Sequence, residues 1–168
     1  MRRISAAELT IRPFHLLDQR WALLVAGRER PNPMTVSWGG FGTLWHLPVV
    51  TLYVRHSRHT YSLLVEHPEF TLNFLPERYR ETLRFCGTRS GRDVDKWETT
   101  GLTREPSESV DVPWIAESDL ALECRTLARV DIGTDSLPEK IRHEFYVEDD
   151  DNLHEAFIAH VLNVWEAD

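Results

Sequence analysis

The densest run of chemistry-bearing side chains is Arg55-His56-Ser57-Arg58-His59-Thr60. It follows the β-branched and aromatic run 49–54 directly and opens a segment with helical spacing. A strand-to-helix turn offers unpaired backbone N–H groups and the positive end of a helix dipole. Guanidinium forks and hydroxyls added there match the oxygens of a phosphate. Arg55, Arg58, His59 and Thr60 are therefore candidates for an anion site. The same residues also read as a basic loop in which Thr60 merely caps the helix.

A second run, Gly87-Thr88-Arg89-Ser90-Gly91-Arg92-Asp93-Val94-Asp95-Lys96, combines small residues, hydroxyls and cations ahead of another helical pattern. Glycine beside serine lets backbone approach an anion closely. Ser90, Gly91 and Lys96 join the candidates, although a turn carrying solvated charges has the same composition. The third candidate is Pro31-Asn32-Pro33-Met34-Thr35-Val36-Ser37-Trp38. Asn32, Thr35 and Ser37 would present polar edges, and Met34, Val36 and Trp38 apolar ones, as a planar heterocycle requires. An ordinary hairpin strand fits it equally.

Other signals are weaker. Gly39-Gly40-Phe41-Gly42 is glycine-rich, but no GxGxxG follows and no helix opens there, which argues against a dinucleotide fingerprint. His56 and His59 have HxxH spacing without nearby carboxylates, and His154 and His160 stand six apart near the C-terminus. Both pairs are expected to be satisfied or exposed rather than metal ligands. No GxSxG elbow occurs, and Cys124 reads as a small buried hydrophobe.

The elements that must position these residues are mostly strands. Apolar or alternating runs predict strands at 21–26, 34–38, 49–54, 70–75, 120–131 and 156–165. The first two flank a hairpin loop, and the second is closed by Gly39-Gly40. In 120–131, Leu120, Leu122, Cys124, Thr126, Ala128 and Val130 are expected on the core face, with Ala121, Glu123, Arg125, Leu127, Arg129 and Asp131 opposite. Helices are expected at 60–67, at 78–86 with Gly87 as its stop, and briefly at 93–99. The polar stretch 104–112 reads as a surface loop and the acidic run 148–151 as a solvated turn.

The chain has 168 residues, 42% of them hydrophobic, which fits one domain spanning 1–168. Net charge is −8 and unevenly distributed: residues 1–104 hold 15 basic and 10 acidic side chains, residues 105–168 hold 4 and 17. An acidic total excludes general nucleic-acid binding. No apolar run reaches the ~18 residues of a membrane span. Two isolated cysteines and no signal-peptide core make a cytoplasmic location the expectation.

Taken in order, these runs resemble the flavin reductase-like, FMN-binding split-barrel family, in its flavoredoxin-like branch. The resemblance rests on 31–38, Pro48-Val49-Val50, Arg55 to Tyr61, Glu69-Phe70-Thr71-Leu72-Asn73, Cys86 to Trp97 and Leu122-Glu123-Cys124, across roughly residues 20–130. It implies a mainly β fold, a six-stranded antiparallel split barrel of Greek-key type with two or three short helices. It also implies a homodimer with FMN near the subunit interface. Phosphate contacts would come from Arg55, Arg58, Thr60, Ser90 and Lys96, with 35–38 along the isoalloxazine ring. A Gly-Asp-His run and a Gly-Glu pair are common near the family's last strand. Here Asn152-Leu153-His154 and Ala159-His160 stand there, so only His154 is kept as the expected catalytic contact. The implied reaction moves a hydride from NAD(P)H to the flavin and then to free flavin or another acceptor. The alternatives are an electron carrier reduced by a partner protein, or a dimeric binding module without flavin.

Overall fold

The computed structural model describes residues 1–146 and 152–167, so the run 148–151 lies outside the described residues. In chain order the elements are β1 (Arg2–Ile4), β2 (Ala22–Ala26), β3 (Asn32–Val36), β4 (Gly39–Leu44), β5 (Leu47–Arg55), α1 (His59–Glu66), β6 (Glu69–Phe74), α2 (Arg80–Thr88), α3 (Lys96–Thr100), β7 (Arg104–Glu105), β8 (Trp114–Ile115), β9 (Leu120–Asp131), α4 (Glu139–Phe145) and β10 (His154–Glu166). Neighbouring strands of the main sheet are antiparallel, in the order β3-β2-β6-β9-β10-β5-β4, with β1 added along β10.

This order closes the sheet. Its two end strands, β3 and β4, are consecutive in sequence and separated only by Ser37 and Trp38. Three Cα–Cα steps reach at most about 11 Å. The end of β3 must therefore lie beside the start of β4, at the seam, and Tyr53 N donates to Trp38 O at 3.4 Å, which carries the β4–β5 ladder into the linker. The fold is the mainly β split barrel that the family resemblance implies, but the main sheet has eight strands rather than six, and the described residues form four α-helices rather than two or three.

Strand β2 is a continuous apolar run because both its faces are buried. Ala22, Leu24 and Ala26 pack inside the barrel with Leu72, Leu122 and Phe157, whereas Leu23 and Val25 pack outward with Leu83, Cys86, Trp97 and Ile115. The outer layer is where several expectations fail. Stretch 104–112 is not simply surface: β7 pairs β8, and Val110 and Val112 are buried in the outer cluster. Glu123, expected on an open face, is fully buried beneath that segment. It accepts hydrogen bonds from Glu108 N (3.0 Å), Ser109 N (2.7 Å), Asn163 Nδ2 (3.0 Å) and Trp165 Nε1 (2.8 Å). Val130, expected inside, is exposed, since a register shift at Leu127 breaks the alternation.

Two glycine readings are also corrected. Gly39-Gly40 does not end a strand but begins β4, and α2 runs through Gly87 to Thr88. The β4–β5 turn is Trp45-His46, both at positive φ (51° and 61°), a conformation usually signalled by Asn-Gly. Strand β1 and helix α4, the fourth α-helix, lie beyond the predicted elements.

Candidate functional site

The seam and the two loops beside it gather the candidate residues. Met34, Thr35, Val36, Ser37 and Trp38 line a cleft of about 510 Å³, with Arg55 from the end of β5, Arg58 from the cap of α1 and His154 from the start of β10. A second cleft of about 700 Å³ takes in Asn32, His59, Gly91 and Lys96. Thr60 lies buried beside it, and its Oγ1 accepts from Asn32 Nδ2 at 2.9 Å. Ser90 organises the facing loop, its hydroxyl accepting from Arg92 N at 3.2 Å. The loops are tied where Arg92 Nη1 donates to Ser57 O at 3.2 Å. Gly91 makes this approach possible, because a Cβ there would lie 2.0 Å from Asn32 Oδ1.

The chain itself already uses part of this polar surface. Thr35 Oγ1 donates to the Leu83 carbonyl of α2, which leaves its lone pairs. Lys96 is 3% exposed, and its Nζ donates to Pro33 O at 2.9 Å and Cys86 O at 2.8 Å. One of its three N–H groups is left.

Electrostatically the site holds unbalanced positive charge. Burial, together with the charge of Arg58, pushes Lys96 below its ordinary value. Burial and then the charges of Arg92 and Lys96 do the same to His59. His154 is lowered to about 4, first by burial and then by Arg55, Arg58 and His56. Each shift disfavours the protonated form; burial is the larger cause in each, and neighbouring cations add to it. Moreover, His59 Nδ1 is buried with no hydrogen-bond partner. A phosphate-bearing group fits this donor set: it would supply the missing negative charge and an acceptor. Burial raises both cysteines, Cys86 to about 11, so neither offers a thiolate.

Some groupings differ from expectation. His56 does have carboxylates nearby, with Nε2 3.0 Å from Asp131 Oδ1 and 3.8 Å from Glu155 Oε2. Their ligand atoms lie within 4.8 Å of one another, but Glu155 already accepts from Arg129 Nε (2.5 Å) and Tyr61 OH (2.7 Å). His154 and His160 line different clefts. Sequence reasoning missed Phe145 and Tyr146, at the end of α4. Arg55 Nη2 donates to Phe145 O at 2.8 Å, and its guanidinium lies 5.1 Å from the Tyr146 ring centroid. Trp38 meets Phe145 edge-on at 5.6 Å. The usable signal was Ile141 and Phe145, four apart, behind the breaker Pro138.

Comparison with known proteins agrees with this geometry. An uncharacterized protein of Archaeoglobus fulgidus is 35% identical over 124 residues, 73% of this chain and 69% of that one. Among solved structures, flavoredoxin of Desulfovibrio vulgaris (Miyazaki F) superposes with a TM-score of 0.71 at 22% identity, covering 100% of this chain and 78% of the other. An FMN-binding protein from Thermus thermophilus, with bound 1-cyclohex-2-enone, gives 0.69 at 23%, covering 99% and 80%. The model of the flavin reductase like domain matches residues 17–168, a span that takes in the seam, both basic loops and the α4 wall. The chain therefore belongs to the flavin reductase-like domain family.

Proposed function

We propose that this chain holds FMN across the barrel seam and works as an NAD(P)H-dependent flavin oxidoreductase, passing electrons to free flavin or another acceptor. The observation that carries this reading is the set Arg58, His59, Arg92 and Lys96, gathered beside the end strand β3 with no carboxylate partner among the described residues. The structural relatives named for flavoredoxin and for FMN binding support it. Bound flavin would supply the hydride-accepting chemistry, which needs no acid–base residue from the protein.

The chain's own residues bind and orient. Arg58, Thr60, Ser90, the remaining Lys96 N–H and the α1 N-terminus provide charge and donors for a phosphate. Thr35 and Ser37 offer polar edges along β3, and Met34 and Trp38 offer apolar surface. Arg55 is committed to Phe145, so its part is to hold the cleft wall as well as to add charge. We further take the working unit to be a homodimer. Phe14 and Trp45 are 89% and 65% exposed, apolar surface that a second copy would cover.

The test is an FMN titration followed by NADH and NADPH oxidation with free flavin as acceptor. Uptake of FMN and turnover are expected. A protein that binds no FMN overturns the reading. A second reading, an electron carrier reduced by a protein, draws on the departed C-terminal edge, where Ala159-His160 stand in place of the family's Gly-Glu. Stopped-flow reduction by nicotinamides against reduction by a ferredoxin-type donor separates the two.

A further inference from the structure

We infer that Tyr146 is a positioning residue that fixes His154 as a hydrogen-bond donor toward the cleft. Both side chains are buried, each in a residue 6% exposed. Tyr146 OH and His154 Nδ1 lie 2.7 Å apart, and this is the only partner of the phenol among the described residues. A buried phenolic hydrogen needs an acceptor, and among the described residues the only one is a lone pair on Nδ1. Nδ1 is therefore unprotonated, and the neutral ring carries its hydrogen on Nε2. The opposite arrangement would leave the phenolic hydrogen buried and unpartnered. Nε2 has no hydrogen-bond partner among the described residues and is left for the cleft that His154 lines.

The support behind Tyr146 is itself built from the site. Arg55, on β5, lies over the Tyr146 ring and holds the preceding carbonyl. Trp38, at the seam, packs on Phe145 and lies 5.1 Å from the His154 ring at 47°. Arg55, His56 and Arg58 are the charged or titratable neighbours from β5 and the turn after it, and they disfavour a second ring proton. The ring is thus held neutral and in one tautomer, ready to donate to a carbonyl or ring nitrogen. That such an acceptor belongs to flavin or nicotinamide rests on the proposed function; the tautomer does not.

The full chain with ¹⁵N-labelled histidine tests this without any ligand. Long-range ¹H–¹⁵N spectra at pH 7 should show His154 as Nε2–H in the unaltered protein and as a tautomer mixture in Tyr146→Phe. An Nδ1–H ring in the unaltered protein, or the same tautomer in both, overturns the inference. A second variant reads the role of the donor. His154→Gln places an amide N–H near the Nε2 position, with no dependence on Tyr146. Tyr146→Phe should weaken FMN binding about five-fold in the His154 protein, the size of one neutral hydrogen bond. It should have no effect in the His154→Gln background, and equal losses in both would overturn the inference. Failure of the unaltered protein to bind FMN would instead overturn the proposed function and leave the tautomer result standing.

Discussion

The arginines around the barrel and the arginines of the cleft are treated differently by the fold. Arg2, Arg3, Arg20 and Arg28, all from the basic part of the chain, pair with Glu166, Glu108, Asp119 and Asp111 of the acidic part at 3.0, 3.0, 2.6 and 3.0 Å. Arg55, Arg58 and Arg92 have no carboxylate partner among the described residues; Arg55 and Arg92 donate to carbonyls. Chain topology thus pairs four cations of the basic part with four acids of the acidic part. Arg55, Arg58 and Arg92 keep their charge beside the two clefts. Exposed pairs each contribute little to stability. Their effect is to neutralise cations away from the clefts, so that less positive potential competes with the clefts for an anionic ligand.

Substitutions can break this contrast. Lys96→Ala should have the largest effect, because it strands two buried carbonyls and opens a cavity under the cleft. A loss of about 2–4 kcal/mol in urea unfolding is expected, together with loss of FMN binding. Unchanged stability would make Lys96 a surface clamp rather than part of the frame. Arg58→Ala should act the other way round. Stability should stay within about 0.5 kcal/mol, while FMN affinity falls by roughly 10- to 100-fold, as for a lost charge-assisted hydrogen bond. Riboflavin, which lacks the phosphate, should bind both forms equally. Arg20→Ala should be the mirror image, with a stability loss of about 1 kcal/mol and no change in FMN affinity.

A further effect is in pH. Folding lowers the His154 pKa from 6.5 to about 4. Between those values the unfolded chain binds a proton that the folded one refuses, so this contribution to stability falls as pH drops through that window. An anion in the cleft opposes the fields of Arg55 and Arg58, raises the folded pKa and flattens the dependence. Chemical denaturation at several pH values, with and without FMN, would show it. An identical pH profile with and without FMN would mean that the anion does not reach these charges.

The six principal strands were legible in the sequence because each carries a period, either continuous as in β2 or alternating as in β9. Strand β4 was not, since three of its six residues are glycine, and neither was its turn, where Trp45-His46 adopts a conformation that other residues signal. The site was legible in its three local runs, and their convergence through Asn32, Thr60, Gly91 and Arg92 agrees with reading them together. The parts that escaped depend on long-range cover. Glu123 is buried by a segment with no period of its own, and Asp131 reaches His56 from 75 residues away. Tyr146 matters only because α4 folds back onto Arg55.

The seam between β3 and β4 has one more consequence, for the order in which the protein loosens. Ser37 and Trp38 join the two ends of the sheet by covalent chain, whereas no strand ladder pairs β3 with β4 among the described residues. This is the natural place for sub-global opening, with amide exchange faster than in the central β6–β9–β10 ladders. A ligand that touches Thr35 on one side and the Arg55–His154 side on the other acts as a removable stave. On the proposed function, flavin loading and barrel closure would become one thermodynamic event, and the empty protein would be the form from which partial unfolding begins.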